Sequence, residues 1–263
     1  MTTAARVEIF DRVVCGIDRS DEGLAAARAA GLVADPGGEL TLVTAYDRSA
    51  AVHAGWGMSR VLEQLRDEAT HALEEGQDVV WPLHEADAKL VEGDPLRTLL
   101  GEIERRRATL VAVGSHGLSR PLGIALGSVA THLLHEAPCS VLIARGAVVP
   151  GRWPRRIAVG VDGSADSARA HEAARALAER AGAALRPIVA AQDARVDLEA
   201  ARRIAPDAEV HDARALDALH VASENADLVV VGSRGLRGLR ALGSLSERLA
   251  HEAHCSVLVV RER

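Results

Sequence analysis

Leu110–Arg145 reads LVAVGSHGLSRPLGIALGSVATHLLHEAPCSVLIAR, and Leu228–Arg261 reads LVVVGSRGLRGLRALGSLSERLAHEAHCSVLVVR. Each block is an apolar run ending in glycine, a glycine-rich loop, a helical stretch opened by Gly-Ser, and a second apolar run. An earlier block repeats as well. Val13-Val14-Cys15-Gly16-Ile17-Asp18-Arg19-Ser20 returns as Ile157-Ala158-Val159-Gly160-Val161-Asp162-Gly163-Ser164. Two blocks recurring in one order mark a tandem duplication, with too few units for a solenoid. Between the copies, Arg145–Arg156 (RGAVVPGRWPRR) has two prolines, two glycines and a basic cluster, so the boundary falls near Pro150. The expected domains are residues 1–148 and 152–263. The second is shorter: Asp18 to Gly114 takes 96 residues and Asp162 to Gly232 takes 70. The missing material lies in the middle and amounts to most of one helix, and its loss is expected to leave one flank of the second site open.

Within the first unit, β-rich runs alternate with alanine-rich helical stretches. Strands are predicted over Arg12–Ile17, Glu39–Ala45, Ala86–Val91, Leu110–Gly114 and Ser140–Ala144. Helices are predicted over Asp21–Ala34, Met58–Asp78, Asp94–Arg107 and Ser128–Glu136. In the second helix, Val61, Leu62, Leu65, Ala69 and Ala72 recur at helical spacing. Pro95 suits the first turn of the third. Strands apolar throughout and separated by helices indicate a parallel sheet covered on both faces. Each unit is therefore read as α/β, a doubly wound, Rossmann-like five-stranded parallel sandwich.

Composition narrows the function. The 263 residues are 48% hydrophobic and 26% charged, as expected of a globular chain. No apolar run reaches the roughly 18 residues of a membrane span, and MTTAARVEIFDRVV is not built like a signal peptide; the expected location is cytoplasmic, with no membrane partner. Lys89 is the only lysine, and only five residues are aromatic. Residues 1–145 carry 14 Arg/Lys and 21 Asp/Glu; residues 146–263 carry 17 and 16. Neither balance is that of a nucleic-acid-binding domain, and stacking platforms are scarce. Cys15, Cys139 and Cys255 lie in or beside apolar runs without C-x-x-C spacing, as buried reduced thiols would.

Doubly wound sheets bind ligands beyond the carboxyl ends of their strands, where the winding reverses. If the strand order is 3-2-1-4-5, Asp18 and Gly114 face one crevice. The pattern Gly114-x2-Gly117-x9-Gly127-Ser128 then leads into a helix whose N-terminus offers unpaired N–H groups to an anion. Glycines there let backbone approach a phosphate. They serve equally well as plain turn formers, Ser128 as a plain cap, and Asp18 or Ser20 as the cap of the first helix.

Gly-x-Asp-x-Ser after a strand, G-x2-G-x9-G-S, and the closing APCSVLIAR together resemble the universal stress protein family, here twice in one chain. The resemblance implies the adenine nucleotide α-hydrolase-like fold, order 3-2-1-4-5, and a stress-response role in which many members bind ATP and others do not. It implies that Gly16 and Asp18 line the adenosine end and that Ala45 offers backbone to adenine. Gly114, His116 and Gly117 would border ribose and phosphates, and Gly127, Ser128, Val129 and Ala130 would cradle the phosphates. Ala130 departs from the pattern, which often has Thr or Ser there. The second unit supplies Gly160, Asp162, Ala190, Gly232, Gly235, Gly243, Ser244 and Ser246, with seven rather than nine residues between Gly235 and Gly243. Arg234, Arg237 and Arg240 in that loop suit phosphates or a solvated face.

The implied ligand is ATP, with or without magnesium, held more readily by the first unit. The closing strands suit edge pairing into an intrachain pseudo-dimer, leaving further homodimerisation open. An enzyme is not expected. The chain lacks a G-x-x-x-x-G-K-[ST] loop, and His53-Ala54-Gly55-Trp56-Gly57 does not match a nucleotidyl-transferase signature. His132 and His135 have the spacing of a helical metal pair but no further ligand in the pattern. Two alternatives stand beside the binding module: a weak ATPase, and a nucleotide-independent scaffold with vestigial sites.

Overall fold

The computed structural model describes residues 9–48, 58–117, 126–233 and 245–262. The first half runs β1 (Arg12–Gly16), α1 (Asp21–Val33), β2 (Glu39–Tyr46), α2 (Met58–Val80), β3 (Ala86–Glu92), α3 (Pro95–Arg106), β4 (Leu110–Gly114), α4 (Ser128–Glu136) and β5 (Ser140–Ala144). The second runs β6 (Arg156–Gly160), α5 (Ala165–Ala181), β7 (Ala184–Ala190), α6 (Leu198–Ile204), β8 (Glu209–His211), α7 (Ala215–Ser223), β9 (Leu228–Gly232), α8 (Leu245–Glu252) and β10 (Ser256–Val260). Local signals set the ends. Ser20 caps α1 through Gly23 N–H, Asp94 caps α3 through Arg97 N–H, and Pro95 follows at the first helical position.

The strands form one ten-stranded sheet in the order β3-β2-β1-β4-β5-β10-β9-β6-β7-β8. Each half has the 3-2-1-4-5 order, parallel within itself. Apolar side chains alternate between the faces. Cys15 joins the core beneath α1, α2, α5 and α6, while Val14 joins the core beneath α3, α4, α7 and α8. In α1, Ala25, Ala26, Ala27, Ala29 and Ala30 are all buried, so the helix can lie close on the sheet. Among the described residues no helix is long and apolar enough to cross a membrane.

The halves join edge to edge. β5 and β10 pair antiparallel, with Leu142 opposite Leu258 at the local two-fold centre. Around it the same contact is made twice. The guanidinium of Arg145 donates to the carbonyls of Ala250 and Ala253 at the end of α8. That of Arg261 donates to the carbonyls of Leu134 and Ala137 at the end of α4. Backbone N–H groups of Arg145 and Arg261 donate to Ser256 Oγ and Ser140 Oγ, each at 3.1 Å. Each half thus closes the other's helix C-terminus, where orphan carbonyls and the helix dipole favour a cation. Arg180 of α5 adds a bond to Asp35 (3.0 Å) and one to Val33 O (2.6 Å) beyond α1.

The second half has lost most of its central helix, as its shorter length implies: α6 has seven residues where α2 has 23.

Candidate functional site

At the end of β1 the ladder to β2 closes with Ile17 N–H donating to Val43 O at 3.0 Å. The chain then turns away. Asp18 Oδ1 accepts from Ser20 N–H at 3.1 Å and from the Ser20 hydroxyl, whose oxygen accepts Gly23 N–H at 2.9 Å. Ser20 is therefore the cap of α1, and Asp18 braces it. The other carboxylate oxygen is directed at the loop after β4. A Cβ on Gly117 would sit 2.6 Å from Asp18 Oδ2. The two motifs that lie a hundred residues apart in the chain meet here, because β1 and β4 are neighbours.

Between them lies a cavity of about 410 Å³. It is lined by every first-unit residue that the family resemblance implies for the site: Gly16, Asp18, Ala45, Gly114, His116, Gly117, Gly127, Ser128, Val129 and Ala130. Ile17, Val43, Pro95, Leu99 and Val113 complete an apolar wall. Sequence reasoning missed Pro95 and Leu99. Their helical spacing was readable, but only the strand order places α3 beside β1.

The roles of several residues differ from expectation. Gly114 lines the cavity, yet a Cβ there would meet the backbone of Glu22 at 2.8 Å. Its bareness admits α1 rather than an anion. Ala45 is the penultimate residue of β2, not its last. Its amide and carbonyl face the same side as those of Val43, two residues earlier, where β1 has already left the sheet. Gly127, not Ser128, is the N-cap of α4, and as a glycine it makes no side-chain cap bond. Ser128 is exposed and its hydroxyl has no hydrogen-bond partner among the described residues. The first intrahelical bond is Thr131 N–H to Gly127 O at 2.9 Å, which leaves the N–H groups of Ser128, Val129 and Ala130 at the cavity. The Ala130 side chain is buried in the core, so only its backbone serves the site. His116 is half-buried, with Nδ1 2.9 Å from Ser115 Oγ.

The second unit keeps the turn but not the room. Asp162 Oδ1 accepts from Ser164 N–H at 3.0 Å and from Ser164 Oγ at 2.5 Å, and Ser164 Oγ accepts Ser167 N–H at 3.1 Å. Gly160, Asp162, Ala190 and Gly232 line a cavity of only about 40 Å³, space for about three waters. Among the described residues the expected open flank is occupied by chain. The short connection to α6 folds inward instead: Asp197 N–H donates to Asp162 O at 3.0 Å. Gly163, at φ +87°, packs against Asp197 O, where a Cβ would come within 2.7 Å. The Ala190 carbonyl, counterpart of Ala45, already accepts Asp193 N–H at 3.3 Å. Ser246 lies in the first turn of α8 and does not line this cavity. Gly235, Gly243, Ser244, Arg234, Arg237 and Arg240 lie outside the described residues, as does His53–Gly57.

The helical pair His132 and His135 does not converge on a common ligand. His132 Nδ1 lies 2.7 Å from Ser128 O, and His135 Nε2 lies 3.1 Å from Glu247 on α8. All three cysteines are buried and reduced.

The sequence profile described as the universal stress protein family matches residues 9–145 and 190–261. A universal stress protein of Mycolicibacterium smegmatis is 32% identical over an alignment 295 positions long, covering 95% of this chain and 97% of the relative. One from Mycobacterium tuberculosis is 32% identical, covering 66% of this chain and 68% of its own. Among solved structures, a universal stress protein from Archaeoglobus fulgidus superposes with a TM-score of 0.69 at 23% identity, covering 96% of this chain and 97% of that one. The repeated motifs, the 3-2-1-4-5 order in both halves and these matches place the chain in the universal stress protein family.

Proposed function

We propose that the first unit binds one adenine nucleotide, ATP or a close relative, and that the chain works as a nucleotide-binding module of a stress response. The observation that carries this reading is the N-terminus of α4, whose first three N–H groups have no partner among the described residues and border a 410 Å³ cavity at the switch point of the sheet. That volume is in the range of small-molecule sites, and such N–H groups suit phosphate. Backbone of Ala45 would meet the base, Asp18 a ribose hydroxyl, and Ser128, Val129 and Ala130 the phosphates. Asp18 and His116 are the only ionisable residues among the described lining, which favours binding over catalysis. The second site, filled by its own connection, holds no nucleotide in this reading.

The test is mass spectrometry of small molecules released on denaturing the purified chain, with adenine nucleotide counted per chain after incubation with ATP. About one per chain is expected, with no turnover over long incubation with magnesium. Gly117→Val should abolish binding, because the new side chain displaces the Asp18 carboxylate. Two nucleotides per chain would refute the closed second site. Failure to bind any would refute the function.

A further inference from the structure

Three metal-ligating side chains converge on the second unit, away from either cavity. His220 and Glu224 lie one turn apart at the end of α7, and His254 lies in the turn between α8 and β10. Each offers one ligand atom, and these atoms all lie within 4.8 Å of one another. The imidazoles of His220 and His254 lie side by side, tilted by 47°, with centroids 4.9 Å apart. We infer that His220, Glu224 and His254 form a binding site for a zinc-class divalent cation.

The spacing is near what a cation requires. Bonds of about 2.0–2.1 Å in a tetrahedral shell put ligand atoms about 3.4 Å apart. Glu224 and His254 are exposed, so rotation about their side-chain bonds closes the difference. The backbone beneath is already fixed. Ser223, buried between the elements, donates its hydroxyl to His220 O at 2.6 Å and accepts His254 N–H at 3.0 Å. The turn bearing the third ligand is thus tied to the helix bearing the other two. His220 Nδ1 is buried without a hydrogen-bond partner among the described residues. A buried polar atom in that state calls for a water or an ion.

Two imidazoles and a carboxylate with a position left open suit zinc, with nickel and copper as competitors. The duplication offers a control. The first unit has Glu102, Arg106 and Pro138 at the equivalent positions. There the buried Glu102 is bonded by Lys89 and Arg105 instead. The triad therefore belongs to the second unit and is no by-product of the fold. It lies at the amino ends of β9 and β10, opposite the Asp162 cavity.

The test is calorimetric titration of the full chain, stripped with a chelator, with zinc chloride alone. One zinc per chain is expected. His254→Ala and Glu224→Gln change exposed side chains, and circular dichroism checks that both fold. Each should weaken binding by at least about tenfold, while His132→Ala should not. Absence of saturable binding, or equal affinity in His254→Ala and the parent chain, would overturn the assignment.

Discussion

Arg261 is the sharpest test of how the two halves hold together. The residue is 6% exposed and its guanidinium spans two domains, closing the last turn of α4 from the end of β10. Arg261→Met keeps an apolar stem but removes both bonds to Leu134 O and Ala137 O. A hydrogen bond to a charged group contributes about 1.5–3 kcal/mol, and the abandoned carbonyls stay buried. Relief of the buried charge offsets part of this. The net loss is expected at about 3 kcal/mol, or roughly 10 °C in melting temperature for a chain of this size. Arg261→Lys, with one donor head in place of a fork, should fall between parent and Met. Arg175→Met, which removes an exposed pair with Glu179, should change stability by less than about 0.5 kcal/mol. Urea and thermal melts of the four chains make the comparison. An Arg261→Met chain within about 0.5 kcal/mol of the parent would refute the idea that these carbonyl clasps hold the halves in register.

Two further outcomes follow from buried ionisable groups. Burial alone would raise the Glu102 carboxyl, but bonds from Arg105 and Lys89 and their charges outweigh it and hold the pKa down to about 2, against 4.5 ordinarily. A lowered carboxylate stabilises the fold above its unfolded value, and that stability is lost as pH falls through the folded value. With Lys89 and Arg105 partly exposed, Glu102→Gln should cost about 2 kcal/mol at neutral pH. The variant's stability should then converge on the parent's between pH 4.5 and 2 in acid melts; a constant difference across that window would refute the assignment. Burial pushes the Cys15 thiol far up and the Cys255 thiol up to about 12. A thiol reagent at neutral pH should label none of the three cysteines in the folded chain and all three in urea, and rapid labelling of the folded chain would contradict the burial.

Where signals were local, the sequence located structure to within two residues. Asp94-Pro95 marked the start of α3, and the apolar runs marked β4 and β5 at both ends. The strand order came with the family resemblance rather than from the motif spacing; once β1 lies beside β4, Asp18 and Gly117 meet. What stayed illegible depends on contacts across the fold. Gly114 looked like an anion-binding glycine, and nothing in its neighbours reveals that Glu22 packs on it. Gly127-Ser128 could start a helix at either residue, and that single step decides whether α4 is capped. The collapse of the second site rests on Asp197 reaching Asp162, a landing point that loop length alone leaves undetermined. Arg145 and Arg261 stood in plain view at the ends of the repeated blocks, but their partners lie in the opposite half.

The antiparallel join of β5 to β10 gives the molecule two unlike poles. Carboxyl ends of β1 and β4 point the same way as amino ends of β9 and β10. One pole therefore carries the open cavity of the first unit together with the His220–Glu224–His254 triad, and the other carries the filled pocket around Asp162. A dimer of identical single units would present the same face at both poles and could seat two partners. This chain has only one face of each kind. A protein that reads the open pole would engage it once, in a single orientation, with a stoichiometry of one to one.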